Sequence, residues 1–392
     1  MKALLCILFS VFIISSDAFS QKLDWRLDVF NFFDNTEFGR SAVKIPQTMA
    51  GVMLAPEAGV VWDTLNKVNA GVNLLHEYGS PYAIGKFYPT VYFESERGPM
   101  RFVMGAFPRL RVIGNYPRLF FQDSIYYYRP NINGIFSEYR KDGNYFNVWL
   151  DWTGRQSKTV NEEFFIGFSG RYKTGIFYLQ HFGAMFHYAG KMDPVVEEPL
   201  HDNLLFLTSA GIDLAENSIF NKLETNAGWA IRLERSRADN SGWISSNGFL
   251  METRVEYKWF GLFNTFFKGD DMMHYYEQLG NKLYWGDPTY RATTSDRADF
   301  YISFLRSHTV ALDLTYSLTF MEHRMYHEQM LKLLVNLNSP KDYITQRADR
   351  EVDIFNHDFF KRILSFFHLF ACREKINLYL CTRFKTKSLL KG

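Results

Sequence analysis

The feature that most constrains this chain is a strict two-residue alternation of apolar and polar side chains, sustained over stretches long enough to cross a lipid bilayer. Between Thr309 and Phe320, one parity holds Val310, Leu312, Leu314, Tyr316, Leu318 and Phe320. The other holds Thr309, Ala311, Asp313, Thr315, Ser317 and Thr319. Successive side chains of a β-strand point to opposite faces, so this is the text of a strand with one oily and one wettable face.

The pattern recurs. Leu223, Ala227, Trp229, Ile231 and Leu233 oppose Glu224, Asn226, Arg232 and Glu234. Phe249, Met251, Val255, Tyr257 and Trp259 oppose Glu252, Arg254, Glu256 and Lys258. Leu23, Trp25, Leu27 and Val29 alternate with Asp24, Arg26 and Asp28. Phe146, Val148, Leu150 and Trp152 alternate with Tyr145, Asn147, Trp149 and Asp151. A soluble sandwich alternates too, but its strands run to only ~5–6 residues, whereas lipid-crossing strands need ~9–11. Here the oily faces are free of ionisable groups, as lipid demands: Lys or Arg at mid-bilayer costs roughly 2–4 kcal/mol.

Sixteen such segments are expected, near 22–33, 48–62, 67–78, 85–95, 100–107, 131–141, 143–152, 162–172, 175–188, 203–215, 222–235, 247–259, 260–268, 297–306, 308–321 and 325–337. The count lies between 14 and 18. Up to about residue 340 no further segment is apolar over the ~18 residues that a spanning helix needs. A chain that enters lipid without helices must close its sheet, since only closure pairs every backbone group. The fold class is therefore all-β: a transmembrane, antiparallel, up-and-down β-barrel over 21–337, wide enough for an aqueous channel unless loops fill it. Asp63-Thr64-Leu65-Asn66, Glu96-Arg97-Gly98 and Lys141-Asp142-Gly143 read as tight turns. Long connections fall at 108–130, 189–202, 236–246 and 269–296, which would face outside the cell.

Composition agrees with this reading. Aromatic residues make 18% of the chain alongside 22% charged residues, the mixture expected of ring girdles around a polar lumen. With 44 Lys+Arg against 42 Asp+Glu, no basic field points to a nucleic-acid partner. Residues 1–20 read as a signal peptide: Lys2, an apolar stretch from Ala3 to Ile14, then Ala18 and Ser20 before a cut at Gln21. Cys6 sits mid-segment, which argues against a lipoprotein. The remaining cysteines, Cys372 and Cys381, lie in the tail, so no disulfide frames the barrel. Over 338–392, Val352, Phe355, Phe359, Ile363, Phe366 and Phe370 take helical spacing ahead of Arg373, Lys375, Arg383, Lys385, Lys387 and Lys391. This predicts an amphipathic, basic C-terminal helical extension.

Several segments resemble a group of outer-membrane β-barrel proteins of Bacteroidetes. They are Arg101-Phe102-Val103-Met104-Gly105, Tyr128-Arg129-Pro130-Asn131, Val148-Trp149-Leu150-Asp151-Trp152 and Gly280-Asn281-Lys282-Leu283-Tyr284-Trp285-Gly286-Asp287-Pro288. The resemblance covers roughly 20–337. It implies the barrel and a Gram-negative outer-membrane location, and it brings no catalytic residues.

Candidate sites follow from the inward parity. Arg232, Glu234, Glu252, Arg254, Glu256 and Lys258 would form a ladder of both signs on the inner wall, with Asp313 beyond it. Such a ladder would order solutes or merely pair across strands. In the 268–290 loop, Asp270, Asp271 and Asp287 with Tyr284 and Trp285 could hold a cation or stack on sugar rings. His181 and His187 share a parity and should face the lumen, about 20 Å apart at ~3.3 Å per residue, too far to share a metal. His323 and His327 with Glu322 and Glu328 flank a turn and should be solvated. Ser169 in Gly167-Phe168-Ser169-Gly170 lacks the spacing of a nucleophile elbow, and no P-loop or dinucleotide fingerprint occurs. The expectation is thus a chain without enzymatic activity, cofactor or bound metal, partnered by outer-membrane lipid. It would pass small polar solutes as a porin or, with its lumen closed by loops, serve as a structural or ligand-binding barrel.

Overall fold

The computed structural model describes residues 22–63, 65–192, 199–238 and 242–338. The signal segment expected over 1–20 lies outside them, as does the expected extension apart from Asn338, which ends the last strand.

Sixteen strands are formed. They are β1 (Lys22–Glu37), β2 (Gln47–Trp62), β3 (Asn66–Glu77), β4 (Lys86–Arg97), β5 (Met100–Pro108) and β6 (Asn131–Lys141). Next come β7 (Asn144–Gly154), β8 (Glu162–Thr174), β9 (Phe177–Ala189), β10 (His201–Asp213) and β11 (Lys222–Ser236). The last five are β12 (Ile244–Tyr257), β13 (Phe260–Gly269), β14 (Thr294–Arg306), β15 (Val310–Met321) and β16 (Arg324–Asn338). Each pairs antiparallel with its sequence neighbours, and β1 closes the ring on β16 in a register running from Arg26↔Asn338 to Glu37↔His327. The expected closed barrel is the fold, and each of the sixteen expected segments is a strand.

Loop length sorts by end. Turns at 98–99, 142–143, 175–176 and 258–259 sit at one end with β1's first residues, and left-handed backbone at Gly98, Asp142, Gly143, Gly175 and Lys258 makes them tight. The connections 38–46, 109–130, 190–200, 237–243 and 270–293 all lie at the other end. A two-residue turn at Glu322 and His323, both at positive φ, is the exception there.

The outward parity carries Trp25, Phe33, Trp229, Ile231, Leu314, Tyr316 and Phe320, all exposed on the wall. This is the oily band that the alternation predicts. The inward parity departs from expectation on one side. In β9 the residues turned inward are Tyr178, Phe182, Ala184, Phe186 and Tyr188, all buried. His181 and His187 therefore face outward, a correction of the expected lumenal pair. His181 stacks on Phe168 and His187 on Phe164. Both parities of β9 hold oily residues, so alternation could not choose between them; what lies inside the barrel decides.

Two long-end connections fold into the lumen. Residues 109–130 contain α1 (Leu110–Ile113) and α2 (Asp123–Tyr128), and 270–293 contain α3 (Tyr276–Leu279) and two 3-10 turns. Val112, Ile113, Tyr116, Leu119, Phe120 and Phe121 from the first join Met272, Met273, Leu283, Tyr284 and Trp285 from the second in one core. That core also takes Trp149, Phe165, Phe182, Phe186, Leu205 and Leu207 from the wall. Aromatic wall positions turn inward because they meet this apolar plug rather than water.

Candidate functional site

The plug is held by polar groups that the sequence scatters over the whole chain. Its two segments are stitched by the Gln122 amide to the Trp285 carbonyl (2.8 Å) and the Asp287 amide to the Arg118 carbonyl (2.8 Å). Gly286 packs directly on the Leu119 carbonyl, where a Cβ would collide with it. Arg109, 1% exposed, opens the first segment. It donates to the carbonyls of Arg129 (2.9 Å) and Asn131 (2.8 Å) and to the wholly buried Asp151 (2.5 Å). The Trp149 indole donates to Tyr116 Oη at 2.8 Å. Arg111 reaches the other wall, at Glu57 (2.8 Å) and Asp28.

Where the plug meets β1, β14 and β16, ionic groups concentrate. Lys44, from the 38–46 connection, donates to Asp287 (2.9 Å) and lies 3.6 Å from Glu328. Arg297 binds Glu328 (2.8 Å) and Asp299 (2.7 Å). Arg118 bridges Asp299 (2.6 Å) and Asp123 (2.8 Å), and Lys332 donates to Asp123 at 2.7 Å. Tyr127 stacks on Phe32 (4.3 Å, 13°) and donates to Asp34 at 3.3 Å, and the other Asp34 oxygen has no hydrogen-bond partner. Thr36 follows two residues on, on the same face and also buried.

The electrostatics of the loop groups follow from this packing. Burial pushes the Asp287 carboxyl up, but Lys44, Arg297 and the Thr289 amide outweigh it and hold it at about 2. Asp123 likewise falls well below the carboxylate range, with burial overcome by Arg118 and Lys332. Burial works against the Lys44 ammonium, yet Asp287 and Glu328 raise it above its ordinary value. The long-end mouth thus carries the ion pairs of Lys44, Asp287, Asp123 and Arg118, and Asp34 has a buried oxygen without a hydrogen-bond partner.

The sequence-derived candidates separate into three places. Arg232 and Glu234 lie against the plug: Arg232 bonds Asn203 (3.1 Å), while Glu234 accepts from the Tyr284 hydroxyl and the His274 amide (3.2 Å). Glu252, Arg254 and Glu256 are on the inner wall nearer the short-turn end. There Glu256 accepts from Tyr301 (2.8 Å) and Arg306. Asp313 accepts from Ser303 at 2.5 Å. Lys258 is not on the wall at all; it sits exposed at positive φ in the turn after β12, where the strand has already ended.

The loop candidates do not converge either. Asp270 and Asp271 are exposed and cap local amides of Asn247 and Met273, whereas Tyr284, Trp285 and Asp287 are buried in the plug. At the 322–323 turn, Glu328 points inward to Arg297. His327 points outward to the Tyr316 hydroxyl (2.6 Å), so these groups face opposite sides of the wall. Among the described residues, no group of three or more His, Cys, Asp or Glu is placed to hold a metal ion. Lys44, Asp123, Arg118 and Arg297 escaped the sequence reading. For Lys44, Asp123 and Arg118 the one signal is charge inside a connection, and Arg297 lies on β14; neither reveals partners 181 to 284 residues away, such as Arg118 with Asp299 and Lys44 with Glu328.

The model of a protein family described as Lipid A 3'-O-deacylase-type matches residues 14–340. The chain belongs to this family. The expectation of a chain without enzymatic activity is overturned by that match, because the family is described by an enzymatic activity. A nucleophile elbow and a nucleotide fingerprint are devices of soluble folds that a barrel enzyme need not carry. Solved structures agree on the fold. A loop-deletion mutant of OmpT, an outer-membrane protein of Vibrio cholerae, superposes with a TM-score of 0.51 at 8% identity, over 81% of this chain and 100% of that one. In-vitro folded OmpT in its trimer form gives 0.50 at 8% identity, over 81% and 99%. An anion-selective porin from Comamonas acidovorans gives 0.48 at 9% identity, over 82% and 100%. At such identities the likeness concerns the outer-membrane barrel fold alone. No curated protein sequence matches the chain.

Proposed function

We propose that this protein is an acyl-ester hydrolase acting on a lipid A-type glycolipid at the outer leaflet of a Gram-negative outer membrane, with its barrel serving as a sealed scaffold. The observation that carries the reading is the plug. A core built inside the lumen by Phe120, Phe121, Trp285 and their wall partners stands in the path of bulk solute, which favours work at the long-loop end. There the family's described substrate would lie. In this reading Asp34 is the base that activates water, through the oxygen that carries no bond. The Lys44 ammonium, held between Asp287 and Glu328, is the cation assigned to a developing oxyanion. Loop 38–46, which carries Lys44, would have to lift for an ester to enter.

The test is release of fatty acid from purified lipid A by detergent-solubilised protein, followed by mass spectrometry. Loss of release in Asp34→Asn, with the barrel still migrating as a folded species, supports the assignment. Unchanged release in that variant refutes the role of Asp34, and absence of release from the wild-type protein refutes the hydrolase reading.

The porin reading is the weaker one, since a plug packed inside the lumen disfavours it. Planar-bilayer recordings of the wild-type protein discriminate, with stable open steps restoring the channel. An origin in Bacteroidetes and export by residues 1–20 belong to the same proposal. Membrane fractionation, with N-terminal sequencing of the mature protein, tests the export.

A further inference from the structure

At the long-loop end the barrel wall dips over β5 and β6. The β4–β5 ladder stops at Val91↔Ala106, so the stretch Lys86–Thr90 of β4 has no strand on that side. The β6–β7 ladder stops at Gly134↔Asp151, and from Trp152 to Gly154 β7 keeps only β8 as a neighbour. Where the strands part, side chains replace ladder bonds. Asn131 Nδ2 donates to the Pro89 carbonyl (3.1 Å), and the Asn133 amide donates to Asp151 (2.9 Å). Pro89, which has no N–H to offer, sits within the bare stretch, as proline does on edge strands.

On the outward face the dip continues as a groove. Its floor is Pro108 and the directly paired Ala106 and Asn133. Its sides are Phe87 on β4, 64% exposed, and Trp152 on β7, 43% exposed and stacked on Phe164. β4 and β7 stand three strand spacings apart, about 14 Å. Polar groups of both signs gather at the head of the groove. Lys86 is exposed, with its ammonium 5.1 Å over the Tyr128 ring. Arg129, 41% exposed, has Glu163 at 3.9 Å, and the Tyr128 hydroxyl donates to Glu77 at 3.0 Å.

We propose that this notch docks an outer-leaflet glycolipid from the side, its saccharide on the bare edge of β4 and one acyl chain in the groove. The inference says how the substrate of the hydrolase reading is held, and it rests on that reading for the identity of the lipid. A strand edge without partners is not tolerated in hydrocarbon, so Lys86–Thr90 meets headgroups rather than chains. Saccharide hydroxyls both donate and accept, as a strand edge does. The mixed charges of Lys86, Arg129, Glu163 and Glu77 suit a hydroxyl-rich head better than a lone phosphodiester. The rings of Phe87 and Trp152 border the same place, and interfacial rings sit at headgroup level. Below them the small side chain of Ala106 leaves a depression in a wall that faces lipid, and an acyl chain is what fills it.

The experiment measures lipid A retained by the full chain in native mass spectrometry, with phosphatidylglycerol in excess as competitor. Binding is read by mass and needs no turnover. Ala106→Phe fills the groove from a lipid-facing position and leaves the interior packing alone. It should raise the dissociation constant about tenfold, the loss of contact with two methylenes. Ala227→Phe, outward on β11, is the control and should leave binding unchanged. Lys86→Gln, which leaves the wall as it is, should weaken binding about threefold, the scale of an exposed ionic contact. Equal effects of Ala106→Phe and Ala227→Phe, no effect of Lys86→Gln, or phosphatidylglycerol displacing lipid A as well as lipid A itself overturns the proposal. Fatty-acid release from the wild type with binding indifferent to Ala106→Phe refutes the notch and spares the hydrolase reading. Binding that depends on Ala106, without release, does the reverse.

Discussion

Replacing Arg109 by Met should unseal the barrel without dissolving it. The guanidinium is 1% exposed and Asp151 is wholly buried. Truncation deletes the bonds to Asp151 and to two carbonyls and leaves a buried carboxylate uncompensated. Breaking a buried pair from one side costs about 3–5 kcal/mol. The sixteen-strand ladder does not depend on Arg109, so this penalty falls on docking of the 109–130 segment. At about 1.4 kcal/mol per decade, it raises the undocked population by roughly two to three and a half orders of magnitude. The assay is planar-bilayer recording paired with limited proteolysis. Wild-type protein should be silent and resistant within 109–130, and Arg109→Met should show open steps and rapid cleavage. The double variant Arg109→Met/Asp151→Leu removes the stranded charge as well and should recover part of the resistance. If Arg109→Met is as silent and as resistant as the wild type, the plug is not held in the way described.

Three further outcomes follow from other parts of the barrel. The Asp287 carboxyl is depressed to about 2, so it stabilises the docked plug above its unfolded value near 4 and ceases to do so as pH falls toward 2. Cleavage within 270–293 should accelerate over that interval, and Asp287→Asn should flatten the dependence. Leu314→Arg places a cation on the outward band and should lower folding stability in vesicles by roughly 2–4 kcal/mol in urea titrations, with a mid-bilayer site at the upper end. Gly183→Val should cost about 1–3 kcal/mol by overpacking, because a Cβ there would stand 2.6 Å from the Phe168 ring; an unchanged urea midpoint would refute the close approach.

The barrel was legible because lipid enforces a rule at every second residue. Leu314, Tyr316 and Phe320 must be oily, Ser317 and Thr319 are free not to be, and strand after strand repeats the contrast. Where that pressure weakens, so does legibility. Alternation ends β1 at 33, but the strand runs to Glu37, since Asp34 and Thr36 project into the plug-lined mouth, where alternation carries no oily signal. Alternation alone puts the histidines of β9 on the wrong face because Phe182 and Phe186 use the same alphabet as lipid-facing residues. The plug itself was invisible: its helices are of four to six residues, too short to show a period, and the partners of Arg118, Lys44 and Lys332 lie 181, 243 and 209 residues away.

These failures share one cause, and it bears on function. A sixteen-strand ring encloses more space than inward side chains alone can fill, so the chain must either admit water or supply a core of its own. Here it supplies one, built of rings on the β6–β10 side and of ion pairs on the β14–β1 side. The ring side excludes water and holds the plug by burial. The ionic side holds it by Lys44, Asp287, Glu328, Arg297 and Arg118, whose strength varies with pH and with what approaches the mouth. For the hydrolase proposed above, that asymmetry supplies dry contacts on one side and an ionic seam on the other. The seam is where Asp34 and Lys44 sit, so the groups we assign to chemistry are those that loosening the plug would first expose.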